Sequence, residues 1–131
     1  MANPNMIGTA TMKAGNAGFD LNAIVTTALI TVDSDKLVRI KSILASNIDG
    51  SSAAEVSVYI DGLGTSNSEG VTLGSVADAS CFIASEISVP PKATLILLDT
   101  PIYLLEGDIL KGGASASGDI NLFVSFDIID D

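Results

Sequence analysis

The sequence predicts an all-β chain folded as an antiparallel sandwich, jelly-roll-like with about eight strands, preceded by an extended N-terminal arm. Three observations predict it. The run from Ile120 to Ile128 alternates strictly, with Ile120, Leu122, Val124, Phe126 and Ile128 on one side and Asn121, Phe123, Ser125 and Asp127 on the other, as a strand with one buried face does. Short apolar runs recur between turn signals at Pro90-Pro91, Asp99 to Pro101, Gly107-Asp108 and Gly118-Asp119, so the stretch from Ile87 to Ile128 reads as a meander of short strands. Helical periodicity is weak throughout.

Residues 1–20 are small and polar, with Gly8, Gly15 and Gly18 and a single Pro4, and read as an arm in preference to a packed element. Residues 21–131 then form one domain. From Ala23 to Val32, Thr, Ile and Val favour a strand, closed by Asp33-Ser34-Asp35. In the next run, Lys36 to Ile48, Val38, Ile40, Leu44 and Ile48 fall on one face. Arg39 and Lys41 share the other, which Ile43 and Ala45 join, so that face is expected to be covered at one end by the other sheet or by a partner. Asp49-Gly50 signals a hairpin, and the alternating run Glu55 to Ile60 is expected to pair back on it. Asp61 to Ser80 reads as a long exposed loop with room for one short strand. Strand character resumes from Cys81 to Val89, until two prolines that cannot donate a hydrogen bond interrupt it. Gly112-Gly113 lies inside a strand run and marks a bulge or a close approach of backbones.

At 131 residues the chain has the size of one domain, and 47% hydrophobic against 17% charged residues is more apolar content than a small monomer easily hides. Part of it is expected to be covered by neighbouring subunits. The core rests on Ile, Val and Leu, because the chain has four Phe, two Tyr and no Trp. Sixteen acidic against six basic residues give a formal charge of -10, which argues against a nucleic-acid partner, since phosphate contacts need clustered cations. A single cysteine, Cys81, excludes an internal disulfide framework and reads as a small buried residue. Neither a secretory signal pattern nor an apolar run of the ~20 residues that a membrane helix needs is visible, so a soluble protein with no membrane partner, made and assembled inside a cell, is expected.

With no histidine in the chain, a Ser-His-Asp triad, a Cys-His pair and histidine metal ligands are excluded. Paired carboxylates of a glycosidase normally work beside aromatic sugar platforms, which 5% aromatic content does not favour. Asp33-Ser34-Asp35, Asp49 and Asp130-Asp131 are oxygen-rich, but their spacing matches no complete calcium loop. The glycine pairs lack the strand-to-helix context of a phosphate loop. The expectation is therefore no enzyme, no catalytic or metal site and no cofactor.

The opening MANPNMIG, the segment VRIKSILASNIDGSSAAEVSVYI, the turns VPPKATLILLD and IYLLEGDIL, and the closing ASASGDINLFVSFDII together resemble a widespread group of small structural proteins of tailed bacteriophages, common in phages of marine bacteria and cyanobacteria. The likeness covers about two-thirds of the chain in order and spacing. It departs between Asp61 and Ser80, which is longer and richer in Gly and Ser than that pattern. The resemblance implies a β-sandwich virion component, located in the virion and assembled in the host cytoplasm.

Three functions are weighed. A capsid decoration or cement protein would clamp neighbouring major capsid subunits, as a homo-oligomer with a trimer favoured. A neck, collar or tail-associated component would use the same sandwich in rings. A carbohydrate-binding module would need Tyr59, Tyr103 and the Asp-rich turns to converge. For the structural readings the candidate interface residues are Ile7, Met12 and Phe19 in the arm, Ile43 and Ala45, and Phe123, the large apolar residue on the polar face of the last strand. For Phe123, coverage within its own domain stands as the equal alternative.

Overall fold

The computed structural model describes residues 11–61 and 80–130. They form β1 (Thr11–Asp20), β2 (Ala28–Thr31), β3 (Lys36–Asn47), β4 (Ala54–Asp61), β5 (Ser80–Val89), β6 (Thr94–Leu98), β7 (Ile102–Leu104), β8 (Ile109–Ala114) and β9 (Ile120–Asp130), with no helix among the described residues. One sheet, here sheet A, has the order β1-β9-β3-β6 with β7 also on β3; the other, sheet B, has the order β2-β8-β4-β5. All pairings are antiparallel.

Strands β6 and β7 run one after the other along β3, broken where Pro101 cannot donate to the ladder. Taken as one interrupted strand, they leave four strand positions in each sheet. The outer pairs β1-β9 and β2-β8 enclose the inner pairs β3-β6 and β4-β5, with β9-β3 and β8-β4 as the seams. That nesting is the jelly-roll form of the sandwich.

The core lies between the sheets. Ile40, Ile43, Leu104, Ile120, Leu122 and Val124 from sheet A meet Val56, Val58 and Leu110 from sheet B, with Leu21 and Val32 closing the ends. The expected alternation of β9 holds: Ile120, Leu122 and Val124 are buried in the core, and Phe126 and Ile128 pack against it.

Several expectations are corrected. Residues 11–20 are not part of an arm: β1 pairs with β9 over its whole length, because small residues at alternate positions let it lie flat beside that strand. At Gly15 a Cβ would come within 2.8 Å of the Phe126 ring. Residues 1–10 lie outside the described residues, as does the loop expected over Asp61 to Ser80 apart from its two ends. The strand expected from Ala23 starts only at Ala28, since Asn22 Oδ1 accepts from the Ile24 N–H at 2.8 Å and turns the chain there.

The predicted hairpin between Lys36–Ile48 and Glu55–Ile60 does not form, as β3 and β4 lie in different sheets. The Asp49-Gly50 turn instead carries the chain across the sandwich. Asn47 fixes this crossing: its Oδ1 accepts from the Asp49 N–H at 2.9 Å, and its Nδ2 donates to Ser52 O at 3.0 Å and Val89 O at 2.9 Å. Nor is Ile87 to Ile128 a meander, because β6, β7 and β9 join β3 while β8 joins β2 and β4. The chain does turn at these Gly, Pro and Asp positions; whether a turn doubles back or crosses over depends on partners far away in sequence.

Candidate interaction surface

The phase of β3 decides what this protein shows to its surroundings. The register between β3 and β9 shifts between Ile40 and Ser42, leaving Lys41 as an extra residue. Such a bulge reverses the inward and outward sets beyond it. Val38 and Ile40 point into the core before it, and Ile43 and Ala45 after it. Two candidate interface residues, Ile43 and Ala45, are therefore fully buried and are corrected to core positions. Leu44 and Ile48 point outward instead. The signal stood in the sequence: the apolar spacing lengthens from two to three between Ile40 and Ile43.

On the outer face of sheet A, Phe123 lies opposite Leu44, and Leu44 opposite Ile96. Phe123 is 43% exposed and Ile96 62%. Gly18 of β1 stands on the other side of Phe123, with no side chain to cover the ring. An apolar row thus crosses the sheet in the open, and the described residues do not cover Phe123. Sequence reading found Phe123 but not its partners Leu44 and Ile96.

Past the intervening pair Ser42 and Ser125 lies a charged row. Asp127 on β9 faces Arg39 on β3, which faces Tyr103 on β7. Arg39 Nη2 donates to Asp127 Oδ2 at 2.6 Å and Nε to the same oxygen at 3.2 Å, while Lys41 Nζ lies 3.5 Å from Oδ1. The bulge brings Lys41 to this side, so Arg39 and Lys41 share a face as expected. The Arg39 hydrogen bond, aided by the Lys41 charge, holds the Asp127 carboxyl below the usual carboxylate range, against the opposing effect of burial. Beyond it, Ile129 and Leu37 form a buried pair with Met12 alongside, 61% exposed, on β1.

Of the remaining candidates, Phe19 sits on the inner side of β1 and packs against the core, and Ile7 lies outside the described residues. Cys81, expected to be buried, is exposed, because β5 is an edge strand. The two tyrosines do not converge. Tyr103 is on the outer face of sheet A, whereas Tyr59, flanked by the core residues Val58 and Ile60, points away from the core on sheet B and stacks on Phe82 with centroids 4.8 Å apart.

The outer side of sheet B carries a shallow depression of about 210 Å³ lined by Glu55, Glu86, Ser57 and Ser115. Its two serine oxygens each accept a backbone hydrogen bond: Ser57 Oγ from the Glu86 N–H at 3.0 Å and Ser115 Oγ from the Glu55 N–H at 2.9 Å. Among the described residues no three carboxylate or thiol groups gather as a metal site would require. Asp49 Oδ1 instead accepts from Ser51. No family model, curated protein or solved structure matches this chain.

Proposed function

We propose that this chain is a virion structural protein of a tailed bacteriophage that acts by protein–protein contact and not by catalysis. Within that class the reading taken is a capsid decoration or cement protein, assembled in the host cytoplasm and bound to the major capsid protein through the outer face of sheet A. One observation carries it: the open row Phe123–Leu44–Ile96, on the same face as a charged row, one serine pair away, whose ions are already paired. Such a face offers apolar area without a large cost for desolvating free charges. The sequence resemblance to phage structural proteins supports the particle, and the jelly-roll sandwich is compatible with it, although a fold alone does not assign a function. A protein that binds only the assembled shell stabilises that shell by linkage.

The test is binding of the purified protein to capsids lacking it, with Phe123→Asp beside the unchanged chain, together with the copy number in intact particles. The expected result is a copy number that is a large fraction of that of the major capsid protein, and loss of binding in a folded Phe123→Asp variant. About a dozen copies per particle would move the protein to the neck or tail. Full binding by Phe123→Asp would remove this face from the contact, and absence from particles would overturn the reading altogether.

A further inference from the structure

Strand β1 is a regular sheet edge of ten residues, paired with β9 from Thr11 to Asp20 without a register shift. Among the described residues no strand lies on its other side. Alternate residues of an antiparallel strand turn their N–H and C=O groups away from the paired neighbour, so among the described residues β1 presents a row of donors and acceptors that no strand takes up. Folded proteins normally break such edges with short strands, bulges or proline.

The other edges of this sandwich are broken in those ways. β2 has four residues and a register shift between Ala28 and Ile30. β5 carries two shifts and Glu86 at a φ of 50°. The far edge of sheet A is divided between β6 and β7 at Pro101. β1 has no proline, no shift and no positive φ.

We propose that two copies of this chain join edge to edge through β1, antiparallel about a two-fold axis perpendicular to the sheet, so that the sheet A of one copy continues into that of the other. A second copy is the occupant that the strand itself fits. From Ala14 to Gly18 it bears only Ala, Gly and one Asn, so two such stretches approach without bulk between them. Its charged residues are Lys13 near one end and Asp20 at the other. Lys13 lies on the inner side of β1 and Asp20 on the outer side, so the two do not pair across the seam, but antiparallel self-pairing keeps like charges at opposite ends, whereas parallel pairing would align them. For a chain with a formal charge of -10, a contact strip of zero net charge is where copies repel least.

The contact also closes. Both β1 edges are consumed by one isologous interface, and the remaining edges are interrupted, so pairing stops at two instead of running on as a fibre. Just inside this edge, an apolar groove of about 360 Å³ opens between the sheets, lined by Phe19, Leu29, Ile30, Val38, Phe126 and Ile128. A second copy along β1 narrows its access to water. A two-fold perpendicular to the sheet leaves both outer faces of sheet A on the same side, which doubles the face proposed above for capsid contact. The pairing itself rests on the backbone of β1 and holds or fails independently of that reading.

Native mass spectrometry and amide hydrogen exchange on the unmodified protein test it. The expected mass is twice that of the 13.3 kDa chain, and amides of both parities between Met12 and Phe19 should be protected, with alternate ones losing protection on dilution. Single cysteines placed on the outer side of β1, as Ala14→Cys, Asn16→Cys and Gly18→Cys in a Cys81→Ser background, should give an oxidised dimer for at least one of them. Phe123→Asp should leave this dimer intact even where it abolishes capsid binding. A monomer with alternate β1 amides unprotected at high concentration would overturn the proposal, and so would a trimer that yields no β1 cross-link.

Discussion

Arg39 and Asp127 lie directly opposite one another on β3 and β9, and the guanidinium Nη2 reaches the carboxylate at 2.6 Å on the outer face of sheet A. The aspartate is 4% exposed although it faces away from the core. Its carboxyl is held below the ordinary range first by the Arg39 hydrogen bond and then by the charge of Lys41. A carboxyl whose folded pKa is depressed stabilises the fold fully above its unfolded value, about 3.9, and loses that contribution as pH falls through the folded value. Stability should therefore drop below about pH 4, and Asp127→Asn should flatten that drop. At neutral pH the variant should cost about 1–2 kcal/mol, since the cations left behind are partly solvated. Urea denaturation at several pH values measures both.

The bulge at Lys41 makes a contrast between adjacent residues. Ile43 is fully buried in the core and Leu44 lies on the outer face. Ile43→Ala should cost about 2–5 kcal/mol through lost contacts and a cavity. Leu44→Ala should cost less than about 1 kcal/mol, as a partly exposed surface change. Chemical denaturation of the two variants checks the phase of β3. The opposite order would mean that β3 is regular and Leu44 is a core residue.

The reading of the sequence that set Ile43 and Ala45 on the face of Arg39 and Lys41, covered at one end by the other sheet or by a partner, assumed an unbroken period of two from Lys36 to Ile48; coverage by the other sheet is what the core shows. For β9 that assumption holds, and its inward set was legible to the residue. For β3 it fails at one residue, and every position beyond the failure changes sides. The sandwich class was legible because alternation and turn chemistry are local. Strand order was not, because a turn such as Asp49-Gly50 looks alike whether it joins two neighbours or crosses between sheets. The surface follows the same division. Phe123 was visible as an apolar residue in a polar set, while Ile96 becomes its neighbour only through the β9-β3-β6 pairing.

Gly113 is a place of close approach and not a bulge. A Cβ there would lie 2.8 Å from Val25 Cα and 3.0 Å from Asn22 O, both in the backbone of the segment leading into β2. Backbone cannot swing aside as a side chain does, so Gly113→Ala should displace that segment and cost about 1–3 kcal/mol. Gly18→Ala provides the comparison, because nothing lies within 4 Å of its added carbon. Its stability should change by no more than about 0.5 kcal/mol. Thermal denaturation of the two variants in dilute solution separates the cases, and equal effects would remove the packing explanation.

Asn47 ties the two sheets together where β3 ends. Its amide donates to Ser52 O and Val89 O while its oxygen accepts from the Asp49 N–H, and the residue is buried. Asn47→Ala leaves these backbone groups without their partner and should cost about 2–3 kcal/mol. Asn47→Asp should cost more at neutral pH, because it sets a carboxylate against two carbonyl oxygens with no proton to share. Protonation restores a donor, so the deficit of the Asp variant relative to Ala should shrink as pH falls, with the carboxyl pKa raised above its usual value. Denaturation of both variants between neutral and acid pH reads this directly. A constant difference between them across that range would show that the Asn47 amide does not donate to these carbonyls.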